Sequence, residues 1–117
     1  MGEDGLKGML GLAFRARQLV PGAEMSLQLI RDGKAALVII DDKASANTAK
    51  KLQDACRHRD VPVFVLGNGM LGASCGRQGM AAAALKAGKI SQNVLKQCEH
   101  QDAVHLPGQV MIAEDKG

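Results

Sequence analysis

The apolar positions of this chain fall into two alternating patterns. Leu6, Met9, Leu10, Ala13 and Phe14 recur at the three-to-four-residue interval of one helical face. That spacing predicts a helix over Leu6–Arg17, with Arg15 and Arg17 outside the face. Leu19-Val20 is a short extended piece, ended by Pro21-Gly22, a pair suited to a type II turn. Leu27 and Ile30 give an inward face to a second helix over Ala23–Asp32, and Gly33 stands where a C-terminal cap glycine belongs. Ala35–Ile40 (AALVII) is continuously apolar, the mark of a strand buried on both faces of a sheet, and Asp41 and Asp42 end it.

The same alternation continues downstream. Ser45 can cap a third helix with Ala46, Ala49, Leu52 and Cys56 at helical spacing and Lys50, Lys51, Gln53 and Asp54 outside. That helix must stop by Val61-Pro62, because the residue before proline avoids helical angles. Val63–Leu66 is a second buried strand, Gly69–Cys75 a short helix, and Met80–Leu85 (MAAAAL) a further strand or buried small-residue segment. Lys89–Gln97 predicts a final helix capped by Ser91, with Ile90 stapled onto Leu95. The tail from His100, with Leu106-Pro107-Gly108 and Val110-Met111-Ile112, either forms an edge strand or trails off. Helices alternating with buried strands imply an α/β sheet covered on both faces, and 117 residues suit one domain, residues 1–117.

Composition narrows the function. Phe14 and Phe64 are the whole aromatic content, which fits poorly with modules that stack bases on aromatic platforms. A net charge of +3 leans towards anionic partners, and its distribution leans further. Between Val61 and Cys98 the charges are Arg77, Lys86, Lys89 and Lys96, without one acid. Cys56, Cys75 and Cys98 have no CxxC pairing, so reduced thiols in a cytoplasmic setting are expected, with no metal and no cofactor. The start of the chain lacks a signal core, and no apolar run approaches the ~20 residues of a membrane helix.

Three motifs invite catalytic or metal readings and fail on context. Gly67-Asn68-Gly69-Met70-Leu71-Gly72 is a literal G-x-G-x-x-G after a strand, but no acidic residue follows near twenty positions on, and Gly76 and Gly79 interrupt a crossover helix. Cys56-Arg57-His58 is echoed by Cys98-Glu99-His100, a spacing unlike that of structural zinc sites. Asp41 and Asp42 have no nucleophile or base to pair with, and read as a polar loop leading into the Ser45 cap. An enzyme is not expected. Val20-Pro21-Gly22 is different, because the helix behind it presents free amides and a positive dipole end able to receive a phosphate or a base edge.

Several segments together resemble the ribosomal L7Ae/L30e family, in particular its bacterial YlxQ-like branch. They are Met9-Leu10-Gly11-Leu12-Ala13-Phe14-Arg15-Ala16, Gln18–Gly22, Ile30–Ala35, Leu37–Ile40, Ala44–Leu52, Val61-Pro62-Val63 and Leu71-Gly72-Ala73-Ser74-Cys75-Gly76. The resemblance runs from about Leu6 to Leu85 and makes the G-x-G-x-x-G a coincidence. It implies a three-layer α/β/α sandwich, a small mixed sheet with helices on both faces, and a cytoplasmic, ribosomal-protein-like monomer that binds structured RNA. Kink-turn RNA with sheared G·A pairs, or ribosomal RNA, is the implied target, and a role in translation follows.

The RNA contacts implied by the resemblance are Gly22, Ala23, Glu24, Met25 and Gln28, with backbone contacts from Arg31 and Lys34. A second loop, Gly76, Arg77, Gln78, Gly79 and Met80, completes the set. The basic residues Arg77, Lys86 and Lys89 are expected to flank the Gly22 turn. The chain departs from the family pattern at Gly22-Ala23-Glu24, where kink-turn binders carry Gly-Thr-Asn or Gly-Thr-Lys, and at Gln28, where they often place Lys. Arg77-Gln78 also stands in a loop that is apolar in those binders. A protein-interaction module that has lost kink-turn binding on the same scaffold is the alternative.

Overall fold

Leu37 and Ile39 face one way from their strand, Val38 and Ile40 the other, and all four are fully buried. A strand covered on both faces needs helices on each side. The computed structural model, which describes residues 2–67, 69–100 and 104–105, has that arrangement. In chain order the elements are α1 (Gly2–Arg15), β1 (Leu19–Pro21), α2 (Ala23–Arg31), β2 (Ala35–Asp41), α3 (Ala46–Arg59), β3 (Val63–Leu66), α4 (Met70–Cys75), β4 (Ala82–Lys86), α5 (Lys89–His100) and β5 (Val104–His105).

The strands form one mixed sheet in the order β1-β4-β2-β3-β5. Only β2 and β3 run parallel; β4 is antiparallel to both β1 and β2, and β5 to β3. On one face α1, α4 and α5 pack Leu6, Leu10, Leu71 and Val94 against Leu37, Ile39, Phe64 and Leu85. On the other, α2 and α3 pack Leu27, Ile30, Leu52 and Cys56 against Val38, Ile40, Val63 and Ala84. The result is a three-layer α/β/α sandwich. The tail does supply an edge strand at Val104–His105, while Leu106-Pro107-Gly108 and Val110-Met111-Ile112 lie outside the described residues.

Most helix ends have a local cause. Ser45 accepts the Thr48 N–H at 3.1 Å and starts α3 as expected. Gly33, at φ 73°, closes α2: its N–H donates to the Ile30 carbonyl and that of Lys34 to the Leu29 carbonyl. Helix α1 ends at Arg15, two residues earlier than its apolar spacing predicts, because Arg17 turns left-handed (φ 62°) and directs the Gln18 N–H to the Ala13 carbonyl. In α3 the inward stripe is Ala49, Leu52, Gln53 and Cys56, so Gln53 is buried where an outer position was expected and Ala46 is exposed. Ser91 is not a cap for α5: it lies buried inside the first turn, and its hydroxyl donates to the Gly88 carbonyl at 2.9 Å. The strand expected from Met80 begins at Ala82, after Met80 has packed into the core beside α4.

Burial pushes the Cys56 thiol from 9.0 up to about 12. Burial also raises Cys75, opposed by the positive charge of Arg77. The folded chain therefore holds the Cys56 proton more tightly than the unfolded chain does. This contribution to stability is complete below about pH 9, the value of an unburied thiol, and is lost as pH rises towards 12. A thiol reagent at pH 8 is expected to leave Cys56 untouched until the chain unfolds. Rapid modification in native buffer, followed by peptide mass mapping, would contradict the packing described.

Candidate functional site

Strand β1 is three residues long, so the chain must leave the sheet edge at Pro21 and enter α2 at once. Gly22 makes the turn at φ 104° and ψ 142°, a region that glycine adopts far more readily than other residues. Its ψ is extended, not near zero, so the expected type II turn does not form. Gly22 instead serves as the helix N-cap. Its N–H donates to the Ala82 carbonyl at 2.9 Å, continuing the β1–β4 pairing, and its carbonyl accepts the Ser26 N–H at 3.0 Å. No side chain caps α2. The N–H groups of Ala23, Glu24 and Met25 therefore have no acceptor within the helix and lie at its positive dipole end. Glu24, Met25 and Gln28 are exposed on this first stretch of α2, and the Gln28 side-chain amide donates to Asp32 at 3.1 Å.

The second loop is shaped by α4. Gly76, at φ 68°, ends that helix, and the Arg77 N–H turns back to the Gly72 carbonyl at 2.9 Å. The loop packs so closely on the helix that a Cβ at Gly72 would collide with the Arg77 carbonyl oxygen. Gly72 is thus taken up by packing, and the glycine-rich stretch expected to be a coincidental G-x-G-x-x-G enters a helix of only six residues. Arg77 lies with its guanidinium 5.4 Å from the centre of the Phe14 ring, a cation–π contact that ties the exposed loop to α1. Gly79 turns the chain again at φ 79°, and Met80 plugs into the core.

These two stretches meet because β4 is antiparallel to both of its neighbours. The Asp41 N–H donates to the Ala81 carbonyl at 2.8 Å, one residue before the Ala82 carbonyl that receives Gly22. Gly22–Met25 and Gly76–Met80 therefore share one end of the sheet, while Gln28 lies further along α2, where its side chain bonds Asp32. Arg31 and Lys34 do not join them. Helix α2 carries Arg31 away from Gly22, and Lys34 leads into Ala35, which pairs with Lys86 at the opposite end. Lys86 and Lys89 do not flank the Gly22 turn either, contrary to expectation. The Lys86 N–H donates to the Gln18 carbonyl at 2.8 Å, so Lys86 lies four residues along β4 from Ala82, the partner of Gly22, about 13 Å of strand.

Beside the second loop lies a cleft of about 620 Å³, whose lining includes Asp41, Lys43, Gly72, Arg77, Gln78 and Met80. Asp41 is 6% exposed. Its Oδ2 accepts the Lys43 N–H at 2.9 Å, whereas Oδ1 is buried with no hydrogen-bond partner among the described residues. By sequence alone Asp41 belongs to a polar loop leading into the Ser45 cap. The available signal was an acid directly at the C-terminal end of a fully buried strand, where open α/β sheets place their ligands.

The profile of the ribosomal protein L7Ae/L30e/S12e/Gadd45 family matches residues 4–95. RNA-binding protein YlxQ of Bacillus subtilis is 40% identical over 78 residues, 66% of this chain and 78% of that protein. The Enterococcus faecium protein of the same name is 41% identical over 58 residues, 50% and 56% of the two chains. Among solved structures, a Bacillus halodurans protein of unknown function aligns with a TM-score of 0.76 and 34% identity, over 81% of this chain and 97% of that one. The Giardia lamblia 15.5kD RNA binding protein aligns with a TM-score of 0.63 and 25% identity, over 79% of each chain.

The contact of Gly72 with the second loop makes a stability prediction. Gly72→Ala must push the Arg77 carbonyl outward, and overpacking of this kind costs about 1–3 kcal/mol. Thermal denaturation is expected to show a drop of several degrees. An unchanged melting temperature would mean that the loop is not packed on α4.

Proposed function

This chain belongs to the ribosomal protein L7Ae/L30e/S12e/Gadd45 family, and we propose that it binds structured RNA through the end of the sheet that carries Gly22 and the loop Gly76–Met80. The observation that carries this reading is the junction of two backbone features at one end. The uncapped start of α2 offers the amides of Ala23, Glu24 and Met25, and the Gly22–Ala82 hydrogen bond fixes them beside the glycine-bounded loop at Arg77. Such amides suit phosphate oxygens and base edges. The RNA-binding names of the YlxQ proteins and of the Giardia protein support the same reading.

Recognition of this kind relies on shape and backbone geometry. The only described aromatic ring near the second loop is Phe14, already covered by the Arg77 guanidinium. Stacking platforms are absent among the described residues of this end, so a folded RNA with an internal loop or kink is a better target than a plain single strand. The buried Asp41 oxygen can only accept a hydrogen bond when ionised. It therefore favours a ligand amino group, such as that of a base, entering the cleft.

Glu24 sets a limit on the target. A standard kink-turn presents guanine N7 and O6, both acceptors, to the residue at this position, and an ionised carboxylate is an acceptor too. The two repel. We therefore propose a ribosomal or other structured RNA that differs from the standard kink-turn at this contact.

The test is a titration of wild type, Glu24→Asn and Gly22→Val against one standard kink-turn and against ribosomal RNA fragments. A base contact is worth about 1–3 kcal/mol, so Glu24→Asn is expected to tighten kink-turn binding by roughly 5- to 150-fold. Gly22→Val forces a β-branched residue to positive φ, with an expected cost of about 1–3 kcal/mol in stability and loss of RNA binding at temperatures where it remains folded. Wild-type nanomolar binding to the standard kink-turn, with no gain from Glu24→Asn, would contradict the role given to Glu24. No binding to any structured RNA at low salt would leave the interaction-module alternative in its place.

A further inference from the structure

The charge of this protein is concentrated at the end of the sheet opposite Gly22. Four strands have their termini there: β1 and β2 begin, β4 ends, and β3 begins beside β2. The segments that enter or leave them carry Arg17, Arg31, Lys34, Arg59, Lys86 and Lys89, all exposed. Against these six stand Asp32 and Asp60 in the same turns, and Asp32 already accepts the Gln28 amide. Glu24 and Asp54 line a shallow pocket between α2 and α3 that Arg31 and Arg59 also border, and Asp54 is paired with Lys50 and Arg57. The described ion pairs are Lys50–Asp54 and Arg57–Asp54, so none of the six is drawn into one among the described residues. At the Gly22 end the balance is reversed, with Glu24, Asp41 and Asp42 against Lys43 and Arg77.

The basic end is held in shape by the fold. The Arg59 guanidinium donates to the Arg31 carbonyl at 2.7 Å, joining the last turns of α2 and α3. The Lys86 N–H bonds the Gln18 carbonyl, placing Lys86 next to the Arg17 turn, and Ala35 pairs opposite Lys86, placing Lys34 next to both. Strands about 4.8 Å apart give this row a width of about 14 Å across β1, β4, β2 and β3. Each strand of a nucleic-acid duplex carries one phosphate per ~3.4 Å of axis, so a row of that width spans about four phosphates of one strand.

From this we infer that the protein has a second RNA-binding surface, formed by Arg17, Arg31, Lys34, Arg59, Lys86 and Lys89, which holds the phosphate backbone of an RNA duplex at the end opposite the Gly22 site. It goes beyond the reading above, because the two ends face away from each other and one chain can then bridge two RNA segments. The Gly22 end selects a shape through amides and carries little positive charge. The far end supplies the electrostatic attraction and reads no sequence.

The experiment titrates the full chain with a plain RNA duplex of about twenty base pairs that has no internal loop, at about 50 and 200 mM KCl. Wild type is expected to bind with a steep salt dependence. The triple variant Lys34→Glu, Lys86→Glu, Lys89→Glu is expected to bind at least tenfold more weakly at low salt. Its log–log salt slope should be shallower by about 2–3, near 0.7–0.9 for each lost contact. The triple variant with arginine at the same positions keeps the charge and is expected to retain binding, which separates charge from folding. Wild-type affinity in the glutamate variant overturns the proposal. So does competition by poly-glutamate, or by phosphatidylserine vesicles, as effective as that by duplex of equal charge. Because the plain duplex lacks any kink or loop, its result is independent of whether the Gly22 end recognises a structured RNA.

Discussion

The hydrogen bond from the Gly22 N–H to the Ala82 carbonyl, 2.9 Å long, decides how the two ends of this molecule are assembled. It is the last link of the pairing that inserts β4 between β1 and β2. Through it the loop after α4 arrives beside the start of α2, and the acid-free stretch that follows is carried to the far end. Three fully buried alanines, Ala82, Ala83 and Ala84, line β4. Their small side chains leave room for helices above and below the centre of the sheet. Gly22 meets the geometry of this junction by adopting φ 104°, and Gly72 meets the close approach of the loop by having no side chain.

Much of the layer architecture was legible because it follows from local periodicity. Strand β3 has the bounds that its apolar run predicts, and β2 extends one residue past Ile40 to include Asp41. The caps at Ser45 and Gly33 follow from side-chain and backbone chemistry within four residues. What was not legible is set by contacts distant in sequence. Lys86 lies far from Gly22 because β4 runs antiparallel to β1, a matter of sheet order that no local pattern carries. Gln53 is buried because it lies between Ala49 and Cys56 on the side of α3 against the sheet, and Ser91 bonds back to Gly88 because its side chain faces the core. By sequence Asp41 belongs to a polar loop leading into the Ser45 cap, whereas its carboxyl is buried beside a cleft that exists only when α4 and the second loop come together.

In the proposed reading, the two ends of the sheet separate tasks that nucleic-acid binders often combine on one surface. Backbone amides and glycine turns define a shape, and because they are fixed by the sheet they need no ordering on binding. Lysines and arginines contribute attraction that depends on salt and carries no sequence information. In the proposed reading, Glu24 and Asp41 then act as filters at the Gly22 end, each rejecting acceptors and admitting donors.

Backbone amide chemical shifts, followed by NMR while a structured RNA is added, test the account's central claim that the Gly22 end recognises RNA through its main chain. The largest changes are predicted at the amides of Gly22, Ala23, Glu24 and Met25 together with Gly76, Arg77, Gln78 and Gly79, moving at a common RNA concentration. Changes confined to the exposed faces of α1 and α5, with those amides unmoved, would contradict it.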